Sequence, residues 1–365
     1  MQQIVWYTKG LLKALNQVDT TRLMLVTDRS YCHLSLKSFV DSLGLDLVVF
    51  DQITPNPLYE QVCVAVDLFK RKHCTAILAI GGGSTIDVAK CIKLFCKLDP
   101  TVNYLQQSYA DSGVPLIAVP TTAGTGSEGT RFAVIYYQGA KQSVTHPSIV
   151  PTYAVLIPSV LETLPNYQKK CTLLDALCQA IESLWSVNST PESAVLSELA
   201  IVDIMGNYSR YLTDCDPEAA ADIMGAANTA GRAIDLTQTT APHAMSYKLT
   251  SLYRLPHGHA VALCLPGVWR YMLSHTNECV DPRGSIHLVL AMQHAATAMG
   301  CSSSTAAIAR FEALMAELGM ERPTSHDREA ELDLLAQSVN PVRLKNNPVP
   351  LSTSTLRAIY NSILL

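Results

Sequence analysis

Ala76-Ile-Leu-Ala-Ile-Gly-Gly-Gly-Ser-Thr-Ile-Asp87 decides the fold of this chain. Its first five residues form a short apolar run of strand composition, the next four a glycine-rich turn, and from Thr85 the spacing becomes helical. Lacking Cβ atoms, Gly81, Gly82 and Gly83 let the backbone turn tightly and approach a diphosphate. With Ser84, the free N–H groups and positive end of the following helix then face the anion. The string is not a full G-x-G-x-x-G, because Ile86 stands where the third glycine would, so taken alone it is weak evidence.

Working outward, Leu23-Met-Leu-Val-Thr27, Leu47-Val-Val-Phe50 and Leu116-Ile-Ala-Val119 read as further strands, with helical spacing over 34–44 and 58–73. This alternation predicts a parallel sheet with helices on both faces and ligands at the carboxyl ends of its strands. Asp28 directly follows the first of those strands, where a carboxylate accepts hydrogen bonds from an adenosine ribose and repels a 2′-phosphate. Arg29 beside it tolerates a phosphate, so the choice between NAD and NADP stays open. Pro120-Thr-Thr-Ala-Gly-Thr-Gly-Ser127 follows another strand, and Thr121, Thr122 and Thr125 offer hydroxyls to phosphate, ribose or carboxamide on a loop kept open by glycines.

Three prolines, Pro151, Pro158 and Pro165, interrupt the pattern and mark a boundary. Beyond Tyr167 helical spacing dominates, over 167–186, 191–212, 216–236 and 286–319. The expected fold is an α/β dinucleotide-binding domain, residues 1–158, followed by an all-α bundle, residues 159–365. A chain of 365 residues with 48% hydrophobic and 16% charged residues supports two cores. A net charge of −4 without a basic run argues against nucleic acid. The absence of a long apolar stretch or a signal-like N-terminus predicts a soluble, cytoplasmic protein without a membrane partner. Eleven cysteines without C-x-x-C spacing suit reduced thiols, and Cys171, Cys178 and Cys264 read as packing residues.

In the helical half, Asp175 and Gln179 are four apart and therefore share a helix face. His243 and His257 flank a turn at Tyr253-Arg254-Leu255-Pro256 that lets both rings converge. Together the four offer two oxygens and two nitrogens to a divalent metal with a position left for substrate. Spacing alone leaves open the alternative of a hydrogen-bonded core histidine and a helix-capping aspartate.

The run Pro120–Glu128, the Asp-Ala-x-x-x-Ala-x-Glu of 175–182 and the histidines of 243–257 resemble the iron-containing (group III) alcohol dehydrogenase family, over nearly the whole chain. The resemblance implies the dehydroquinate synthase-like architecture of that family, with the dinucleotide on the sheet domain, the metal on the bundle and the reaction in a cleft between them. It strengthens the glycine triplet as a cofactor site and implies that Asn56, in Pro55-Asn-Pro57, and Lys141 contact the cofactor. Asp87 and Thr130 complete the expected cofactor set. NAD(P)H and Fe²⁺ or Zn²⁺ are the implied cofactors, and a homodimer the implied assembly.

The sequence departs from the family where a third metal-binding histidine is replaced by Gln179, a neutral and weaker ligand. Tyr247 stands for a proton-relay histidine, and a phenol with an unperturbed pKa near ~10 donates a hydrogen bond more readily than it shuttles protons. Ile157 replaces an acidic residue. The stretches 237–250, 256–263 and Arg343-Leu-Lys-Asn-Asn-Pro-Val349 are most similar to the subgroup that reduces phosphonoacetaldehyde to 2-hydroxyethylphosphonate. His257 and Tyr247 are then the expected catalytic pair. A phosphonate dianion needs cationic donors, and Arg131 and Lys248 are the first candidates, with Arg232, Arg254 and His259 also near the motifs. Other readings are a dehydrogenase of the same fold acting on another short aldehyde or polyol, and a non-catalytic nucleotide-binding relative that has lost its metal.

Overall fold

The computed structural model describes residues 2–214 and 216–365. Its first compact unit comprises residues 2–165 and 216–228 of the described chain. At its centre is a six-stranded sheet built from β1 (Gln3–Trp6), β2 (Leu23–Thr27), β3 (Leu47–Phe50), β4 (Ala76–Gly81), β5 (Leu116–Pro120) and, after an antiparallel hairpin of β6 (Phe132–Tyr137) and β7 (Ala140–Thr145), β8 (Tyr153–Leu156). The order is β1-β8-β5-β4-β2-β3 and every pairing in the sheet is parallel. Helices α1 (Tyr7–Asn16), α2 (Ser35–Ser42), α3 (Tyr59–Arg71) and α4 (Gly83–Phe95) connect the strands.

Strands β2, β4, β5 and β8 are buried along their whole length, which is why they read as unbroken apolar runs rather than as alternating ones. Alternation still sorts their side chains. Met24, Val26, Ile77, Ala79, Leu116 and Ala118 join the core formed with α3 and α4.

The second unit comprises residues 166–214 and 229–365. Its helices are α5 (Asn166–Trp185), α6 (Pro191–Thr213), α7 (Pro217–Thr237), α8 (Ala241–Tyr253), α9 (His257–Ser274), α10 (Gly284–Ala298), α11 (Ser304–Glu317), α12 (Arg328–Ser338), α13 (Pro341–Leu344) and α14 (Thr353–Ile363). Trp185 on α5 and Trp269 on α9 meet edge to face, 5.2 Å between ring centroids, in the middle of its core.

Three sequence expectations need correction. The division at 158/159 falls too early, because the turn Pro158–Leu161 buries Val160 and Leu161 and packs against α2. Residues 217–228 of α7, read as bundle, belong to the first unit. The helical stretch 286–319 is two helices, since Gly300 takes a left-handed φ of 75° that ends α10 and Ser303 caps the next helix by accepting from the Ala306 N–H. Among the described residues no helix is long and apolar enough to cross a membrane, and the ten described cysteines are all free.

Candidate active site

On the first unit, Gly81 at the end of β4 pairs with Pro120 at the end of β5, and the Thr121 N–H donates to the Gly81 carbonyl at 3.0 Å. The glycine loop and the threonine loop are therefore neighbours. None of the three glycines has a positive φ, so their need is steric rather than conformational. A Cβ on Gly81 would stand 2.4 Å from Thr85 Oγ1, and one on Gly83 2.9 Å from Thr125. A Cβ on Gly82 would make only ordinary contact with Thr122, at 3.6 Å. Helix α4 begins at Gly83, not Thr85, and its N-cap Gly82 supplies no side-chain partner to the first turn, as a diphosphate cradle requires.

Of the remaining expected cofactor residues, Asp28, Asp87 and Thr130 are tied to helix α4. Asp28 accepts from Ser30 N–H at 2.9 Å and from the Thr85 hydroxyl at 2.8 Å, which ties the end of β2 to the start of α4. Asp87 accepts from the Ser127 hydroxyl at 2.7 Å and the Val134 N–H at 2.9 Å. Burial raises the Asp87 carboxyl above its ordinary pKa against the pull of Lys90 and Lys141. Thr130 is buried and accepts from Lys90 Nζ at 2.9 Å. Lys90, fully buried and missed from sequence, also donates to Ser127 Oγ and to the Phe132 carbonyl. Asn56 is exposed in a left-handed conformation, φ 57°, just before a segment pinned by Tyr136 N–H to the Pro57 carbonyl at 2.8 Å.

The second unit gathers the expected metal residues. Asp175 and Gln179 are both buried on α5, and the Gln179 amide hydrogen-bonds the Asp175 carboxylate. His243 lies in the first turn of α8, and His257 opens α9. His243 Nε2 is 3.3 Å and His257 Nε2 3.9 Å from Asp175 Oδ1, and the two rings stand 5.4 Å apart. Gly258 permits this approach, because a Cβ there would sit 2.0 Å from the Cys171 carbonyl oxygen and 2.9 Å from Asp175 Cβ.

Behind the ligating atoms stands Glu182, fully buried one turn beyond Gln179. Its Oε1 meets His243 Nδ1 at 2.5 Å, while Oε2 accepts from the Thr240 N–H at 2.7 Å and hydroxyl at 2.9 Å. Ser246 Oγ lies 3.4 Å from His257 Nδ1 and donates to the His243 carbonyl. Both imidazoles thus have Nδ1 engaged and turn Nε2 inward, the carboxylate–histidine arrangement that orients metal ligands. Burial opposes charge on His243, yet Glu182 and Asp175 more than offset it and push its pKa up to about 10. Burial also opposes charge on Asp175, but its imidazole neighbours hold the carboxyl below its usual range.

The donor set fits a divalent ion. Asp175 Oδ1 and His243 Nε2 are buried, face one another and lack well-formed hydrogen bonds. The ligand atoms of Asp175, His243 and His257 all lie within 4.8 Å of one another. Bonds of about 2.1 Å to a tetrahedral ion give ligand separations of about 3.4 Å.

The other candidates separate. Tyr247 stacks on the His257 ring, 5.9 Å between centroids and 14° between planes. His259 is buried against Tyr167, whose hydroxyl is 2.8 Å from its Nδ1, and burial pushes its pKa down, so it is no cation for an anionic substrate. Arg131 lies at the start of β6 on the first unit and is already engaged with neighbouring groups. Lys248 follows His243 by five residues, about 140° round the helix at 3.6 residues per turn. Arg254 is exposed in a left-handed conformation at the end of α8. Burial drives the Cys171 thiol up to about 11 and also raises those of Cys178 and Cys264, as packing residues should behave.

A strand–glycine–helix cradle on one unit and a largely buried N,N,O cluster, open at His257, on the other define a nicotinamide-dependent dehydrogenase assisted by a metal. Residues 5–158 match the family described as iron-containing alcohol dehydrogenase, and residues 170–364 its C-terminal domain. The chain belongs to the iron-containing alcohol dehydrogenase family and is an oxidoreductase of the alcohol dehydrogenase and aldehyde reductase class. It is 35% identical over 295 residues to a phosphonoacetaldehyde reductase of Streptomyces viridochromogenes, covering 76% of this chain and 73% of that one. It is 31% identical over 278 residues to an NAD-dependent methanol dehydrogenase of Bacillus methanolicus, covering 72% of each. Among solved structures it is similar to a sulfoacetaldehyde reductase of Bifidobacterium kashiwanohense in complex with NAD⁺, at 25% identity and a TM-score of 0.86 over 99% of this chain and 96% of that one.

Proposed function

We propose that this protein reduces a short aldehyde bearing a phosphonate group to the primary alcohol with NAD(P)H, and that phosphonoacetaldehyde, giving 2-hydroxyethylphosphonate, is the substrate. The observation that carries the chemistry is the Asp175–His243–His257 cluster, with Asp175 and His243 buried, His257 partly exposed and His243 held from behind by Glu182. Two relatives named for reductases of small anionic aldehydes, one for a phosphonate and one for a sulfonate, support the substrate class.

In this reading Asp175, His243 and His257 would hold Fe²⁺ or Zn²⁺, with the Gln179 amide oxygen as a weak fourth ligand; when bound, the ion would supply Lewis acidity and the nicotinamide the hydride. The glycine triplet, Ser84, Asp28 and the hydroxyls of Thr121, Thr122 and Thr125 bind and orient the dinucleotide, with Asn56, Asp87, Thr130 and Lys141 about it. Glu182 and Ser246 keep the two Nε2 atoms aimed inward, which fixes where the carbonyl is held. The developing alkoxide takes its proton from solvent, through the nicotinamide ribose hydroxyl or the hydroxyl of Tyr247, whose ring is stacked against His257.

The test is metal analysis of anaerobically purified protein, followed by NADH and NADPH oxidation with phosphonoacetaldehyde and with propionaldehyde. A bound divalent ion and a higher kcat/KM for the phosphonate are expected. A metal-replete protein that turns over propionaldehyde as well as phosphonoacetaldehyde would refute the substrate class. One that oxidises neither nucleotide with any aldehyde would refute the reaction.

A further inference from the structure

We infer that Arg343 is the residue that recognises the anionic group of the substrate, an inference that rests on the substrate class proposed above. Arg343 sits on the short helix α13, which packs against α8, the helix that carries His243, Ser246 and Tyr247. Its side chain is half-buried. Among the described residues its guanidinium has no hydrogen bond, ion pair or ring contact. Several other arginines of the second unit meet carboxylates, as Arg270 does with Glu312, Arg283 with Asp281, and Arg357 with Glu329 and Asp333, while Arg232, also half-buried, meets none among the described residues. Partly desolvating a guanidinium without a partner is costly, so the position makes physical sense where an anionic ligand completes it.

The segment holding Arg343 is also tied to the metal cluster. Asn340 caps α13 by accepting from the Val342 N–H at 2.9 Å. Three residues after Arg343, the Asn346 amide donates to the Thr239 carbonyl and to the Gln238 side chain, both at 3.2 Å. Thr240, the next residue, is the one that donates twice to Glu182, which in turn holds His243. Gln238 accepts a left-handed φ of 58° in this junction. The stretches 237–250 and 343–349 are thus one structural unit, with an unpartnered cation at its edge and the metal ligands behind it. A guanidinium suits this task because its planar fork matches two oxygens of a phosphonate or sulfonate at once.

The experiment compares the wild type with Arg343→Met, Arg343→Lys and, as a control, Arg270→Met, whose arginine pairs with Glu312 elsewhere on the second unit. Two readouts are taken: kcat/KM for phosphonoacetaldehyde against propionaldehyde, and Kd for ethylphosphonate by calorimetry in the presence of NAD⁺. In R343M, kcat/KM for phosphonoacetaldehyde should fall about 10- to 100-fold, the usual worth of charge-assisted hydrogen bonds, while propionaldehyde changes less than about threefold. R343K should recover part of the loss and R270M should resemble the wild type. A preference for the phosphonate that survives in R343M, or that is lost in R270M instead, overturns the assignment and leaves the proposed reaction standing. Should the wild type show no preference among aldehydes, the substrate reading fails. Ethylphosphonate binding then decides Arg343 independently: lost in R343M it upholds anion recognition, unchanged it overturns it.

Discussion

Replacing Gly258 by alanine perturbs the site through one methyl group that reaches none of the ligating atoms. The new Cβ would stand 2.0 Å from the Cys171 carbonyl oxygen, whereas real Cβ contacts essentially never fall below 3.0 Å. The start of α9 must therefore retreat from α5 by at least about 1 Å, because the Cys171 carbonyl is backbone and Asp175 Cβ is fixed to its own backbone, so neither can rotate away. Overpacking of this kind costs about 1–3 kcal/mol, and two rigid walls place it at the upper end. At about 2–4 °C per kcal/mol for a unit of this size, the metal-free protein should melt about 6–12 °C lower. His257, the adjacent residue, moves with the helix, and its Nε2 is already 3.9 Å from Asp175 Oδ1. Metal affinity should therefore fall by about 10- to 100-fold or more, as when the support of a ligand is lost. Scanning calorimetry of the apoprotein and competition for Zn²⁺ against a chromophoric chelator measure the two effects. An alanine variant that melts within about 2 °C of the wild type and competes equally well would refute the steric argument.

Glu182→Gln should lower metal affinity about 10- to 100-fold with little change in fold, since the amide still accepts from Thr240 but no longer holds His243 as an anion does; the same chelator competition reports it. The glycine triplet should divide by cause. Ala at 81 or 83 should lower the melting temperature and weaken NADH together, whereas Gly82→Ala should weaken NADH, read by quenching of nucleotide fluorescence, at an unchanged melting temperature. Equal melting losses at all three positions would contradict this division. Acid should expose Asp281, whose carboxyl burial would raise but which Arg283 holds below its ordinary pKa. A lowered folded pKa gives stability that is present above the unfolded value near ~3.9 and is lost as pH falls through the folded one. Asp281→Asn should therefore destabilise at neutral pH and flatten the loss of stability below about pH 4, measured by urea unfolding across that range. An unchanged slope would exclude the pair as a contributor.

The parts of the fold legible in the sequence are those where burial leaves a simple pattern. Strands β2 to β5 showed themselves as short apolar runs, three of them because both of their faces are covered. Strand β1 did not, being an edge strand with a polar first residue, and β8 was hidden between Pro151 and Pro158, which read as breakers. The β6–β7 hairpin turns on Gln138-Gly139, both at positive φ, where the recognisable pairs are Asn-Gly and Asp-Gly. In the site, ligating residue types at helical spacing were visible, but the residues that position them were not. Gly258 and Lys90 act through contacts with segments distant in sequence, to which no local pattern points.

Glu182 is different, for its signal was present. Asp175, Gln179 and Glu182 fall at i, i+4 and i+7 and so share one stripe of α5. A fully buried carboxylate on the inner stripe of a bundle helix is costly unless something distant meets it. The partners it does meet, His243 Nδ1 and the two donors of Thr240, all lie at the start of α8. One helix therefore supplies a ligand and the support for another ligand, and those two tasks lie about two turns apart. Such an acid in an apolar helix is better read as a demand for a histidine elsewhere in the chain than as an exception to the packing of its own helix.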